Sequence, residues 1–311
     1  MIKKLTKSIR EYKKDTIITP IFMILEVVME VLIPYLVAKL IDSGVTAGNM
    51  SMIIKIGIYL IICAMMSLLF SILAGVISSK ASSGFAKNLR HDLFYKIQDF
   101  SFYNIDKFSS SSLITRLTTD VSNVQMAFMV IIRLAFRAPF TILFALIMAF
   151  RINKSISMVF LGIIPILGIG LILIAKYAHG YFEKTFKTYD KLNNTVGENV
   201  RGMRVVKSFV NKSVEINKFK KISNQIYNYF TKAEKIVAFN SPLMQFVVYG
   251  SILFISYFSA LSIVGGSMST GELTSLITYA LQILTNLMML SMIFVMITIA
   301  STSAERIVEV L

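Results

Sequence analysis

Residues Met52–Ile77 read MIIKIGIYLIICAMMSLLFSILAGVI, with Lys55 as the only charged side chain. A bilayer core about 30 Å thick is crossed by about 20 apolar residues in a helix, and this stretch exceeds that length. Backbone groups in lipid must find their partners within the segment, so the run is a helix. Five further runs have the same character: roughly Ile17–Ile41, Ile131–Phe150, Ile156–Ala175, Pro242–Val264 and Leu273–Ala300. The alternation over about ten residues that marks a barrel strand is absent. The composition agrees: the chain is 55% hydrophobic with a mean hydropathy of +0.70.

The segments between the runs alternate short, long, short, long, short. The long ones are about 78–130 and 176–241. Formal charge is +15. Of the 32 lysines and arginines, all but Lys39, Lys55, Arg133, Arg137, Arg151 and Lys154 lie before the first run, in the long segments or after the last run. The positive-inside rule then predicts that both termini and both long segments are cytoplasmic. Nucleic acid is not the partner this charge implies, because the basic residues alternate with acids and flank lipid-length helices.

Residues 1–16 form an expected cytoplasmic amphipathic segment. Ile2, Leu5, Ile9 and Tyr12 recur at helical spacing among lysines, which suits a helix on the inner leaflet; a basic tail is the alternative. Residues 17–300 are the expected membrane domain, and 301–311 the expected start of a linker. No cleavable leader is expected, the first helix serving as the insertion signal. Cys63 is the single cysteine, so no internal disulfide can form.

Neither long segment reads as a loop. Residues 78–130 hold one Gly and no Pro, and residues 181–241 hold two Gly and no Pro. Glu183, Lys187 and Asp190 share one helical face, and Val196, Val200, Met203 and Val206 another. Each segment is expected to be a pair of helical stalks, about 45 Å long for 30 residues. Asn104-Ile105-Asp106-Lys107 with Ser109–Ser112, and Asn211-Lys212-Ser213, interrupt the pattern and mark the tips.

Several intramembrane residues invite function. Glu26 and Glu30 lie one turn apart on one helix, and ionisable groups in a membrane usually face an interior cavity. They either attract cationic, lipophilic cargo or pair with Lys39 or a neighbouring helix. Gln282 and Asn286, four apart, either line a cavity or bond across helices. Phe136, Phe140, Met288, Met289 and Met292 either line an adaptable apolar cavity or pack between helices and lipid. His91 and His179 lack clustered ligands, so no metal site is expected. Asp120, Arg116, Glu198 and Arg204 fall on charged stalks, where ion pairs are the economical account.

Four motifs occur in order. Phe102-Tyr103 is followed by Ser112-Leu113-Ile114-Thr115-Arg116-Leu117-Thr118-Thr119-Asp120-Val121. Then come Arg133 with Arg137-Ala138-Pro139, and Glu198-Asn199-Val200-Arg201-Gly202-Met203-Arg204-Val205-Val206-Lys207-Ser208-Phe209. Gly271-Glu272-Leu273 and Ser303-Ala304-Glu305-Arg306-Ile307 bracket the last run. Together they resemble the transmembrane domain of ABC exporters, across nearly the whole chain. The details look most like one half of a bacterial heterodimeric multidrug exporter. Ser111-Ser112 stand where that family usually has Thr-Gly.

The resemblance implies an all-α membrane protein of the type IV exporter fold, the ABC transporter type 1 transmembrane domain. Its six transmembrane helices carry long cytoplasmic helical extensions. It implies a second exporter half as partner, a nonidentical one favoured, with helices four and five crossing over to it. Nucleotide-binding domains would dock on the stalk tips, and Asn104, Asp106, Lys107, Phe108, Ser109, Val210, Asn211, Lys212 and Glu215 are the expected contacts. The substrate pathway would include Glu26, Glu30, Phe136, Phe140, Gln282, Asn286 and Met289.

No G-x-x-x-x-G-K-[ST] occurs in these 311 residues, so no phosphate-cradling loop is present. ATP and Mg2+ are therefore expected on a nucleotide-binding domain outside them, usually fused in this class. The expected function is ATP-driven efflux of lipophilic compounds, cationic ones among them, at the bacterial plasma membrane. A lipid or peptide exporter, or a non-transporting sensor of the same fold, is the alternative.

Overall fold

The computed structural model describes residues 2–101, 108, 110–204 and 212–311. Among these no strand occurs, and seven long helices account for most residues: α1 (Lys13–Leu40), α2 (Met50–Gln98), α3 (Val121–Ile152), α4 (Lys154–Arg201), α5 (Lys212–Ala238), α6 (Asn240–Val264) and α7 (Thr270–Val310). With α5 and α6 taken as one path, they give six segments long and apolar enough to cross a membrane. The break at Phe239 falls just before Pro242, which has no N–H to continue the α5 ladder.

Helix ends follow local chemistry. The Asn49 side chain accepts from the Met52 N–H at 3.1 Å and starts α2. Ser269 and Glu272 form a reciprocal capping box at the start of α7. Beyond Ile77, α2 continues to Gln98, about 32 Å at 1.5 Å per residue, shorter than the expected stalk. Single π-helical turns occupy Ile41–Val45 and Arg116–Asp120. Such turns insert an extra residue per turn and re-aim side chains, commonly at functional places.

The chain divides into two compact units. The first comprises residues 1–161 and 251–311, the second Gly162–Gly250. In the first, α1, α2, α3 and α7 pack together. A core beyond the membrane end joins Phe85, Leu89 and Leu93 of α2, Val121 and Val124 of α3, and Ile307 and Val310 of α7. Leu5, Phe108 and Leu113 complete it. Each buried side chain of this size contributes about 1.5–3 kcal/mol. In the second unit, Phe182 meets Phe230 edge-on at 6.1 Å. Asn199 donates to Glu215 at 2.5 Å and Lys218 pairs with Glu198 at 3.6 Å, tying α4 to α5.

The N-terminal segment differs from a single helix lying on lipid. It is a helical turn, Ile2–Leu5, then a 3-10 stretch, Thr6–Tyr12, with Arg10 non-helical at φ 43°. Leu5, Ile9 and Tyr12 pack against protein instead. Leu5 is buried in the core, and Tyr12 packs so closely on Gly84 that a Cβ there would sit 2.2 Å from the ring. Asp92 accepts from Ser8 at 2.7 Å and pairs with Arg10, while Asn88 donates to the Ser8 carbonyl at 3.1 Å. These bonds hold the segment on α2.

Candidate functional site

Three polar layers join α1, α3 and α7 at different depths. The first, at the end of α1 away from the N-terminus, follows from the π turn that carries Asp42. Its carboxylate accepts from the Ser269 hydroxyl at 2.5 Å and from the Gly271 N–H at 3.0 Å. Gly271 lies so close to α1 that a Cβ would stand 2.4 Å from the Ala38 carbonyl oxygen. Further in, Ser275 donates to the Pro34 carbonyl at 2.6 Å and Tyr279 to that of Val31 at 2.8 Å. The C-terminal half of α1 and the N-terminal half of α7 are thus stitched by side chains to backbone.

The middle layer holds the predicted acids. Glu30 pairs with Arg137 at 2.8 Å, and Glu26 with the same guanidinium at 3.7 Å. Of the two structural partners expected from sequence, Lys39 or a neighbouring helix, the neighbouring helix supplies the pair, and Lys39 lies over the Tyr35 ring at 4.9 Å. It stands more than two turns outward of Glu30, whereas Arg137 reaches across from α3. Fifteen residues separate Arg137 from Ile152, about 22 Å of helix, so the pair lies within the hydrocarbon depth. Glu26 is only 7% exposed, and its second oxygen has no hydrogen-bond partner among the described residues.

On α7, Asn286 donates to the Gln282 carbonyl of its own helix at 2.8 Å. The side-chain oxygens of both residues are buried without a hydrogen-bond partner among the described residues. Phe136 and Met288 are exposed on their helices, as is Met292 at 73%. Phe140 packs against Phe144 with ring centres 5.9 Å apart, and Met289 is partly buried.

The third layer lies on the second π turn. Asp120 is fully buried and pairs with Arg306 of α7. Arg116 is 6% exposed; it donates to the Arg306 carbonyl at 2.8 Å and pairs with Glu309 at 2.7 Å. The Arg116 guanidinium also lies over the Phe108 ring at 4.6 Å. Asn123 donates to Ser303 at 3.1 Å one turn further along. Two reciprocal charge pairs therefore clamp the start of α3 to the end of α7, and Phe108 is stacked onto the clamp. Of the expected tip contacts, Asn104, Asp106, Lys107, Ser109, Val210 and Asn211 lie outside the described residues. Lys212 is exposed at the start of α5, and Glu215 bonds Asn199. Among the described residues no cluster could hold a metal ion.

A sequence profile of the ABC transporter transmembrane region matches residues 16–302. The chain belongs to that family. This ABC transporter membrane domain is 29% identical over 291 residues to the uncharacterized ABC transporter ATP-binding protein YfiB of Bacillus subtilis (strain 168), covering 94% of the chain and 51% of that protein. It is 25% identical over 307 residues to the uncharacterized ABC transporter ATP-binding protein Mb1304c of Mycobacterium bovis, 99% of the chain and 53% of that protein. It is 26% identical over 210 residues to the ATP-dependent lipid A-core flippase of Pseudomonas savastanoi pv. phaseolicola, 68% of the chain and 35% of that protein. The chain spans about half the length of the first two of these relatives. It is a multi-pass membrane protein with the all-α fold of an ABC exporter's membrane domain.

Sequence reasoning missed three partners that carry these layers. Arg137 was placed on the third helix without its role towards Glu30. Asp42 and Glu309 drew no functional reading. A carboxylate two residues before Gly44, and an acid three residues after Arg306, were the available signals.

Proposed function

We propose that this chain is the membrane half of an ATP-driven exporter, converting the motion of nucleotide-binding domains into alternating access. The observation that carries the reading is the Phe108–Arg116–Glu309 contact. It joins the tip region of the first extension to the exit of the last helix, the two places where an ATPase would pull. Displacing either moves both, and the stitched α1–α7 pair carries the displacement outward. Opening the outer face requires parting the Asp42–Ser269 and Asp42–Gly271 bonds, so that layer is the outer latch. Ligand binding drives such a cycle only through differential affinity for its two states.

In this reading a second exporter half, a nonidentical one favoured, completes the pathway. Termini and extensions face the cytoplasm of a bacterial cell, and ATP with Mg2+ binds the partner ATPase domains. Residues 1–16 and 301–311 flank the membrane domain on that side, and Asn104–Ser112 and Val210–Lys218 are the docking tips. The cargo is lipophilic. Glu30, committed to Arg137, is structural; Glu26, with a free buried oxygen, is the acid placed to meet a cationic cargo. Gln282 and Asn286 offer two more unpartnered acceptors, and Phe136, Phe140 and Met289 supply apolar lining. A lipid cargo is the second reading, favoured by the similarity to a lipid A-core flippase.

Substrate-stimulated ATP hydrolysis with concurrent uptake into inverted vesicles tests the proposal. Full-length protein paired with its second half should show both for lipophilic compounds. ATP hydrolysis that no compound stimulates, with no uptake, would identify a sensor instead.

A further inference from the structure

Two neighbouring helices carry lysines at matching intervals. On α1, Lys14 and Lys39 are 25 residues apart; on α2, Lys55 and Lys80 are also 25 residues apart. At 1.5 Å per residue each interval is about 38 Å, close to the 40–45 Å of a bilayer with its headgroups. The helices run antiparallel and touch, with Phe22 and Phe70 stacked at 6.1 Å. An ion pair between Lys80 and Asp15 at 3.3 Å sets their inner ends level. Lys14 and Lys80 therefore mark one headgroup plane from two helices.

Exposed apolar rows run into these lysines. On α1, Leu25, Ile21 and Ile17 recur every fourth residue, are 36%, 50% and 64% exposed, and continue to Lys13. Ile18 leads likewise to Lys14. On α2, Leu68, Ile72 and Val76 are 53%, 55% and 64% exposed and continue to Lys80. Residues four apart lie on one helix face, so each lysine stands one turn beyond the last exposed apolar side chain of its row. All three are exposed. Lysine stems lie along apolar surface while the ammonium reaches the interface. The N-terminal segment, held on α2 by Asp92 and Asn88, adds exposed Lys4 and Lys7 on the same side. Of the nearby acids, Asp15 offsets Lys80 in part, Glu11 accepts from Asn88, and Asp92 is taken by Ser8 and Arg10.

We propose that Lys13, Lys14 and Lys80 form a binding site for the phosphate headgroup of an anionic phospholipid, seated against the α1–α2 pair. Under the proposed orientation the lipid lies in the inner leaflet. The site does not depend on what the protein transports, so transport assays and lipid binding fail separately. Basic residues beside a transmembrane helix attract anionic headgroups, and these have an apolar seat for the acyl chains directly below.

The chain contains no tryptophan, so one introduced at Val76 reports the lipid beside Lys80. The Val76→Trp protein is reconstituted into phosphatidylcholine vesicles containing brominated phosphatidylglycerol or, separately, brominated phosphatidylcholine. Stronger quenching by phosphatidylglycerol is expected, with about a fivefold preference, the value of one well-engaged lysine. K13Q/K14Q/K80Q should abolish the preference. K191Q/K220Q/K221Q, equal in charge and remote in sequence, should keep it. Lys→Arg at the three positions should keep it too, separating headgroup binding from misfolding. A Trp at Ile58, beside Lys55, should show the same quenching in all variants, as a check that the helices insert. Equal quenching by both lipids, or a preference that survives K13Q/K14Q/K80Q, overturns the proposal. So does loss of the preference on adding sodium phosphate but not sodium chloride of equal ionic strength, which would identify a free-anion site.

Discussion

Gly271 shows how one residue sets a distance between helices. Any Cβ there would push against the Ala38 carbonyl and the Asp42 carboxylate, so Gly271→Ala should cost about 1–3 kcal/mol. A lower thermal midpoint in detergent micelles would show it; an unchanged midpoint would mean the latch adapts freely. Asp120 makes the opposite point. It is fully buried, and Arg306 is the cation given to it. Arg306→Ala should cost about 3 kcal/mol because an uncompensated charge remains. Asp120→Asn added to it should recover most of that loss, measured by the same midpoint. At Glu26 and Glu30 the two acids should part company. Glu26→Gln should reduce efflux of cationic dyes more than neutral ones, while Glu30→Gln should lower both equally by freeing Arg137. Selective loss from Glu30→Gln would reverse the assignment.

Much at the scale of elements was legible. Run length is a local property, and it located the six spans. The pairing of Glu30 with Arg137 was not legible, because it joins residues 107 apart whose register is set by packing between helices. Nor were the π turns, since Ile41–Val45 and Arg116–Asp120 carry no composition that distinguishes them from ordinary helix. Yet these turns present Asp42, Arg116 and Asp120. The N-terminal segment was legible as amphipathic, but not in what covers its apolar face: the same periodicity suits lipid or a neighbouring helix. Removing its bonds by Asp92→Asn with Asn88→Ala should release it. Amide exchange over residues 4–12 should then rise about tenfold or more, the worth of one or two lost hydrogen bonds. Unchanged protection would mean that Leu5 and Tyr12 alone hold it.

For the whole molecule, the proposed function makes α1, α3 and α7 a lever whose two ends are the layer at Asp42 and the clamp at Arg116 and Asp120. The motifs Ser112–Val121 and Ser303–Ile307 were recognisable separately; that they bind each other was not. In the proposed cycle the clamp couples the tip region to the helix exit. Its most direct test is the ratio of cargo transported to ATP hydrolysed in proteoliposomes of the full-length exporter, comparing the parent with Arg116→Ala and Phe108→Ala. The ratio should fall about tenfold, a typical coupling free energy, while ATP hydrolysis stays near the parent rate. An unchanged ratio in properly folded protein, or transport and hydrolysis falling in proportion, would contradict the account.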